Sequence, residues 1–396
     1  MSDAAEPARP PRVGRGGILL PFRLLGIPVR LDLSFLLVLP LFAYMIGSQL
    51  PEFTAQLRQL ALLRDPELAR RLVPAGDGSV AWLVGLVAAL GLFASVVVHE
   101  LGHAVVARLY GVPTLEIRLW FLGGVAQFKD IPRRRGAEAL VALAGPATSL
   151  ALAAALGLLL PVAPLGATAT TVLAYLAATN VGLALFNLLP AIPLDGGRVL
   201  RSVLALAMPR LRATNVAVAV SGGIAVLLGV YGVVSGQLFL VVMAFFVYEA
   251  GRSEARAALM EDALAGLTAE DLMTPRPQAV EPDMALGQFV RLRHFGRHAG
   301  YPVVDAAGRL LGYAFLAEAL AALDEPGAPG RRADAATATV ADVMRPADVV
   351  RPGTTGVEVL AALANSELGR LCVVDPAGRL VGIVGKTDVI AALRRA

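Results

Sequence analysis

The chain has 396 residues, of which 56% are hydrophobic, and its formal net charge is +4. A mean hydropathy of +0.66 is too high for an ordinary soluble protein and predicts several membrane spans. Because no dense basic run with interleaved aromatic residues occurs, nucleic acid is not expected as a partner. The single cysteine, Cys372, excludes an intrachain disulfide and lies in a stretch typical of a buried strand.

Apolar segments follow an N-terminal segment, residues 1–17, whose composition predicts a disordered basic tail. The sequence predicts about six spans: one at 33–50, one at 80–107, two within the uncharged block 139–194, and two short ones within 213–248. A multi-pass α-helical membrane domain is therefore predicted for residues 18–250.

Basic residues predict the orientation of these spans. Arginine and lysine collect in the N-terminal segment and after the second, fourth and sixth spans, whereas the connections at 161–166 and 235–237 have none. The 51–79 loop is an exception, in which four arginines are accompanied by four carboxylates. Since positive charge marks cytoplasmic loops, both termini are predicted to be cytoplasmic in a cell-membrane protein.

The second span contains "HELGH" at residues 99–103. His99 and His103 are four residues apart and share one helix face, where two imidazoles can bind one zinc ion while Glu100 acts as general base. Ionisable groups at membrane depth are costly and are usually retained for function. The alternative is a pair of histidines bonded to neighbouring carbonyl groups.

A catalytic zinc ion requires a third protein ligand, and Asp195 at the end of the uncharged block is the candidate. Pro190 and Pro193 prevent a regular helix before it, and the glycines after it permit close backbone approach. The alternative for Asp195 is a helix cap at the membrane surface. His99 precedes Arg108 by nine residues, which places it about 13 Å below the cytoplasmic end of its helix.

After residue 268 the chain has an ordinary α/β composition and repeats itself. "YPVVDAAGRLLGY" at 301 matches "LCVVDPAGRLVGI" at 371, and each copy predicts helix, strand, helix and two strands. The predicted repeats are 269–325 and 338–396, joined to the membrane domain by a linker helix at 251–268.

"HELGH" together with "NLLPAIPLDGG" at 187–197 resembles the site-2 protease family of intramembrane zinc metalloproteases. The repeats resemble a tandem pair of cystathionine-β-synthase-type (CBS) domains. The resemblance implies a zinc endopeptidase, with one Zn²⁺ per chain, that cleaves a transmembrane protein substrate within the lipid bilayer. His99, His103 and Asp195 would be the zinc ligands and Glu100 the activator of water.

The resemblance also extends to segments outside the ligand set. Asn187 matches the family's asparagine and would hold substrate or stabilise the oxyanion, the alternative being a bond between helices. Gly123, Gly124 and Val125 match a "GGV" segment that implies a substrate-binding edge strand, the alternative being a membrane-associated hairpin. Residues 18–33 are predicted to form a sheet with it.

The CBS pair resembles domains that bind ATP or AMP between the repeats. In the second repeat Asp388 matches the ribose-binding residue and Thr387 replaces a threonine expected at Gly385, whereas the first repeat departs at Phe315 and Glu318. At most one site is implied, and a structural or homodimerising CBS pair is the alternative.

Two other functions compete with the protease. One is a CBS-gated transporter or channel, which would need no general base beside the ligands. The other is an inactive homologue, against which the complete ligand set with Glu100 argues.

Overall fold

The computed structural model describes residues 17–62, 65–72, 79–120, 123–128, 136–162, 165–292, 298–324 and 338–393. The described residues belong to two compact units, one within residues 14–256 and the other within 257–396. The predicted tail, apart from Gly17, lies outside the described residues.

The first unit contains strands at its start and after its third helix, and otherwise helices. In chain order these are β1 (Ile18–Leu24), β2 (Ile27–Leu31), α1 (Leu33–Leu62), α2 (Pro66–Arg71), α3 (Ser79–Leu109), β3 (Thr114–Trp120), β4 (Gly123–Phe128), α4 (Ala137–Val162), α5 (Ala167–Asn187), α6 (Asp195–Leu204), α7 (Arg210–Val234) and α8 (Leu238–Leu264), whose residues from 257 onward belong to the second unit.

Five helices of the described residues, α1, α3, α4, α5 and α7, are long and apolar enough to cross a membrane. The prediction of about six spans comprises these five helices and the start of α8. The last predicted span forms the start of α8, where only eleven residues precede Glu249, and Arg252 and Glu254 follow within two turns. Residues 251–264, predicted as a separate linker helix, continue α8 without a break.

Large apolar side chains on these helices point outward, including Leu37, Leu158 and Val234, while alanine and glycine line the contacts between helices. Gly85 on α3 shows how close the backbones come, because a Cβ atom there would lie 2.1 Å from the Ala43 carbonyl oxygen of α1. Small residues at interfaces and apolar residues outside are the pattern of helices packed in lipid.

The four strands of the first unit form one sheet in the order β1-β2-β3-β4, as predicted for residues 18–33 with the "GGV" strand. β2 and β3 are parallel and the outer pairs are antiparallel. The buried Glu116 joins the parallel pair, since its carboxylate accepts from Arg30 Nε at 3.1 Å and from Arg118 Nη2 at 2.9 Å. β4 is left as an edge strand beside α3.

The second unit contains the two repeats. The first comprises α9 (Ala269–Leu272), β5 (Thr274–Pro275), α10 (Leu286–Arg291), β6 (Gly300–Val304), β7 (Leu310–Phe315) and α11 (Leu316–Asp324). The second comprises a 3-10 turn (Val340–Asp342), β8 (Val349–Val350), α12 (Gly356–Asn365), β9 (Arg370–Val374), β10 (Leu380–Gly385) and α13 (Lys386–Leu393).

The repeats exchange their first strands. β5 of the first repeat pairs with β10 of the second, in a sheet of order β5-β10-β9-β8, and Tyr313 of β7 bridges to Arg345 of the second repeat. Apolar cores built around Phe289 and Leu363 fill the two halves. The exchange brings residues of one repeat against the helix that begins after the last strand of the other.

Candidate metal centre

Helix α3 presents the two histidines of the "HELGH" motif. The helix runs unbroken through an apolar stretch that contains no proline, and it ends where Gly111, with φ of +76°, adopts the left-handed conformation favoured by glycine. Because His99 and His103 are one turn apart, their rings lie on one face, with centroids 4.8 Å apart. Both side chains are buried.

Asp195 reaches the same place from a different helix. Residues 188–194 are non-helical, as Pro190 and Pro193 predict, and the Ile192 N–H is satisfied by the Ser221 hydroxyl of α7 at 2.7 Å. Asp195 is the first residue of α6, after the N-cap Leu194, and its buried side chain faces the histidines instead of capping the helix at a surface. Gly196 packs directly on the loop, because a Cβ there would lie 2.2 Å from the Leu188 carbonyl oxygen.

The three predicted ligands meet as a triangle of donor atoms. Asp195 Oδ2 lies 3.2 Å from His99 Nε2 and 3.3 Å from His103 Nε2, and the two nitrogens are 3.2 Å apart. In a tetrahedral zinc site with bonds of about 2.0–2.1 Å, donor atoms are separated by about 3.3 Å. The donor set and its spacing therefore fit a zinc ion.

Each imidazole is oriented by a bond from its other nitrogen to α4. His103 Nδ1 lies 2.7 Å from the Val141 carbonyl oxygen, and His99 Nδ1 lies 2.9 Å from Ser149 Oγ. Because a carbonyl oxygen only accepts, His103 Nδ1 must carry the proton, which leaves the Nε2 lone pair directed at the triangle. Such outer contacts fix the tautomer and ring orientation of metal-binding histidines.

Gly145 of α4 completes the wall of the triangle. A Cβ atom at this position would lie 2.2 Å from His103 Nε2 and 2.6 Å from His99 Nε2, so only glycine fits. Gly145 and Ser149, together with Val141, follow one another at three- to four-residue spacing along a single face of α4. One helix thus supports both histidines.

Glu100 lies beside the triangle and contacts the edge strand. Its Oε2 accepts a hydrogen bond from the Ala126 N–H of β4 at 3.0 Å. A Cβ on Gly124 would lie 2.9 Å from Glu100 Cγ, so β4 approaches α3 closely at this glycine. Of Gly123 and Val125 the backbone positions in β4 are described, and the structure therefore brings the predicted "GGV" segment next to Glu100.

Comparisons with known proteins decide the family. The family model described as peptidase family M50 matches residues 87–166 and 162–230, and the CBS domain model matches 269–325 and 340–395. A zinc metalloprotease of Methanocaldococcus jannaschii is 31% identical over 372 residues, which cover 94% of this chain and 95% of that relative. The chain belongs to peptidase family M50.

A second relative agrees with this assignment. A protein of Synechocystis sp., also named as a zinc metalloprotease, is 30% identical over 384 residues, or 94% of either chain. The solved site-2 protease of Methanocaldococcus jannaschii is 29% identical and covers 60% of this chain and 95% of its own, with a TM-score of 0.41. The predicted membership of the site-2 protease family with a CBS pair is confirmed. The chain is accordingly a zinc metalloprotease.

The two asparagines of α5, Asn180 and Asn187, make different contacts. Asn187 is the last residue of α5, and its amide nitrogen donates to the Leu183 carbonyl oxygen of its own helix at 2.9 Å. Asn180 is fully buried and donates to Ser95 Oγ on α3 at 2.9 Å, one turn before His99. The predicted oxyanion role of Asn187 thus requires its second amide hydrogen or a change of rotamer.

In the CBS pair the strand exchange gives two related contacts. Asp388, in the first turn of α13, accepts from the Gly385 N–H at 2.7 Å and from Thr274 Oγ1 of the other repeat at 3.3 Å. At the equivalent position of the first repeat, Glu318 forms an ion pair of 2.6 Å with Arg345. Thr387 is exposed beside Asp388. The two repeats therefore differ in the side chain that binds this carboxylate, which is a threonine hydroxyl at Asp388 and an arginine at Glu318.

Some features of the M50 site are not evident from the motifs. "LAGPATSL" at 143–150 predicts close packing or a kink, yet Gly145 and Ser149 within it contact the two histidines. Their spacing from Val141 along α4 is the signal that the sequence contains.

Cys372 behaves as the sequence predicts, since it is buried and its burial raises the pKa of the thiol to about 12.

Proposed function

We propose that this M50 peptidase hydrolyses a peptide bond in or near the transmembrane segment of a membrane-protein substrate, as a step of regulated intramembrane proteolysis. The observation that supports this proposal is the triangle of His99, His103 and Asp195 donor atoms beside Glu100, with the two histidines on α3, a helix apolar enough to cross a bilayer. Three protein ligands leave a fourth position open, as catalytic zinc sites do.

The residues divide the chemistry among them. When bound, the zinc ion supplies Lewis-acid polarisation of the scissile carbonyl and eases the deprotonation of water. His99, His103 and Asp195 hold the metal, with the imidazoles oriented by Val141 and Ser149. Glu100 takes the proton from the attacking water and delivers it to the leaving amine. Asn187 provides an amide donor for the oxyanion once its side chain turns from Leu183.

Substrate capture is proposed at the open edge of β4. Since β3 occupies one side of β4 and the Ala126 N–H donates to Glu100, this N–H belongs to the other, open side. A substrate segment unwound from its helix would add to this edge by β-augmentation, with Gly123, Gly124 and Val125 in the pairing strand. Binding there would bring the scissile bond next to Glu100.

The orientation proposed for the bilayer follows from the basic loops. Both termini and the CBS pair lie in the cytoplasm in this scheme, and His99 lies about 13 Å from the cytoplasmic end of α3. Buried polar side chains at this depth, such as Ser95 and Asn180, accompany the site. Water would therefore enter through a cavity open to the cytoplasm.

The function is tested with the full-length protein reconstituted into lipid vesicles together with a single-span substrate. We expect zinc-dependent cleavage at a position that mass spectrometry maps within the span or within a few residues of its end. Cleavage confined to soluble peptides or to loops far from the span would refute the intramembrane proposal.

The CBS pair is proposed to bind one adenine nucleotide, ATP or AMP, at Asp388. Its carboxylate has only a long contact to Thr274 from the other repeat, so it can exchange that hydroxyl for those of a ribose. Glu318 is held by Arg345, so the first repeat provides no equivalent acceptor. Thr387 adds a hydroxyl at the start of α13. Nucleotide binding would then modulate proteolysis.

Isothermal titration of the full-length protein with ATP and with AMP tests this second proposal. We expect one site per chain, lost in Asp388→Asn and retained in the matched variant Glu318→Gln. No heat with either nucleotide would leave the CBS pair as a structural or homodimerising element, which the mass of the same preparation would distinguish.

A further inference from the structure

Arg201, on the helix that begins with the metal ligand Asp195, is a buried arginine that the proposed chemistry leaves without a role. Its exposed fraction is 4%, and its guanidinium group donates from Nε and Nη2 to Glu138 of α4 and from Nη1 to Glu254 of α8. Arg210 at the start of α7 lies 3.9 Å from the other Glu138 oxygen. One side chain therefore joins α6 to two other helices.

The placement of this cluster matters because the metal ligands come from two separate helices. His99 and His103 are fixed against α4 through Ser149 and Val141, whereas Asp195 reaches the triangle from α6. The position of α6 relative to α4 therefore decides whether the three donor atoms meet.

Contacts near both ends of α6 fix its position. At its start Gly196 packs on the 188–194 loop, and near its end Arg201 is bound to Glu138. Glu138 precedes Val141 by three residues and Gly145 by seven, so it lies on the same face of α4 that supports the histidines. That single face thus contacts the histidine side and the aspartate side of the site.

The chemistry of the cluster favours positioning over stability. A buried ion pair contributes little net stability, because desolvation of the two charges offsets their attraction. The rigid fork of a guanidinium group instead provides directional specificity, which a lysine cannot reproduce.

Glu254 connects this cluster to α8, the helix that leads out of the first unit, residues 14–256, which is the membrane unit. Its side chain is 39% exposed, and α8 continues beyond it to Leu264. A shift of α8 along or about its axis would move Glu254 and change its bond to Arg201.

We propose that Arg201 is a positioning residue that sets the place of Asp195 in the metal site, and that α8 acts on this placement through Glu254. The proposal rests on the proposed peptidase site, since it assigns Arg201 to that metal centre. It makes metal affinity depend on an ion pair that touches neither metal nor substrate.

The test measures zinc binding, without any substrate, on the full-length protein in detergent by competition with a chelating dye. The variants are Arg201→Lys, which keeps the charge and loses the fork, and Glu254→Gln, which leaves the buried Arg201–Glu138 pair in place. Glu249→Gln is the matched control, because Glu249 lies on the same helix, is similarly exposed and pairs only with Arg252 among the ion pairs of the described residues.

Since contacts behind metal ligands typically change affinity by 10- to 100-fold, we expect about a 10-fold weaker zinc affinity in Arg201→Lys and about a 3-fold weaker one in Glu254→Gln. Glu249→Gln should bind zinc as the wild type does. In cobalt-substituted protein, the visible absorption of the four-coordinate ion should change in the first two variants only.

A purely structural role predicts a different pattern. If Arg201→Lys and Glu254→Gln lower the melting temperature of the apoprotein but leave zinc affinity and the cobalt spectrum unchanged, the proposal is wrong. A wild-type protein that binds no metal would refute the metal site and this proposal with it. Normal zinc binding without proteolysis would refute only the peptidase function, since the Arg201 measurements need no substrate.

Discussion

The membrane unit and the CBS pair bury different kinds of side chain. Within the described residues, the buried Ser, Thr, Asn, His and charged side chains, from Thr54 to Ser221, belong to the membrane unit. The cores of the CBS pair are apolar, and its ion pairs, such as Arg309 with Asp305 and Arg379 with Asp375, lie at the surface. The membrane unit thus buries polar and charged side chains, whereas the CBS pair keeps these ion pairs at its surface.

This difference indicates which buried side chains are candidates for a functional role. Burial of a polar group is unfavourable unless it is bonded, so a unit that buries many of them has retained them for a purpose. In the membrane unit, buried polar contacts around the proposed site involve α4. This helix contacts both histidines and, through Arg201, the helix that begins with Asp195. In the CBS pair the cores are apolar, and the candidate functional carboxylate Asp388 is half-buried outside them.

The largest effect is expected from Asp195→Ala, which removes one of three ligands from the membrane unit. Zinc content should fall from about one per chain to near zero, and proteolysis should be abolished, as measured by elemental analysis and substrate cleavage. Asp65→Ala is the control, because Asp65 only caps α2 and its loss should cost about 1 kcal/mol with zinc retained. A zinc-replete Asp195→Ala protein would contradict the ligand assignment.

Gly145→Ala tests whether α4 shapes the site. The new methyl group would lie within 2.6 Å of ring nitrogens of both histidines, so zinc affinity should fall by at least 10-fold. The matched control is Gly157→Ala on the same helix, where a Cβ has no neighbour within 4 Å. Equal zinc affinity in the two variants would show that α4 does not shape the metal site.

Gly124→Ala should act on catalysis more than on metal. Its methyl group would lie 2.8 Å from Val96 Cγ1 and 2.9 Å from Glu100 Cγ, so either β4 or the Glu100 side chain must move. Since a displacement of about 1 Å can reduce the rate about 100-fold, kcat should fall to that extent while zinc content stays near one. An unchanged kcat would argue against close apposition of β4 and Glu100.

Phe289→Ala should have the smallest effect on the metal site, because it empties the apolar core of the first CBS repeat. Loss of this fully buried side chain should destabilise the CBS pair by about 3–5 kcal/mol, as measured by chemical denaturation followed by fluorescence. Zinc content should remain that of the wild type. Loss of zinc in this variant would contradict the expectation that the CBS core does not affect the metal site.

The sequence predicts the site better than its surroundings. The proposed ligands and the proposed general base follow from motifs, because two histidines at helical spacing and a carboxylate in apolar surroundings have few other uses, whereas the proposed edge strand follows from the family resemblance. The fold class, an apolar helical unit followed by an α/β CBS pair, is confirmed by the family models and the five apolar helices. The sixth predicted span corresponds to the start of α8, where eleven apolar residues precede Glu249.

The remaining features depend on contacts between segments far apart in the chain. Gly145 and Ser149 are small residues common in any packed helix, and only the three-dimensional structure shows them against His103 and His99. Arg201 and Glu138 are 63 residues apart, and no local pattern pairs them. The exchange of β5 between repeats is likewise non-local, because two-residue strands have no periodicity of their own.

The most direct test of the central claim is Glu100→Gln in the reconstituted protein, with zinc content and cleavage of a single-span substrate measured on the same sample. The amide keeps the shape of the side chain and an acceptor for the Ala126 N–H, but it cannot take a proton from water. The account predicts about one zinc ion per chain and a cleavage rate at least 100-fold below that of the wild type. Wild-type cleavage by the zinc-loaded Glu100→Gln protein would contradict it.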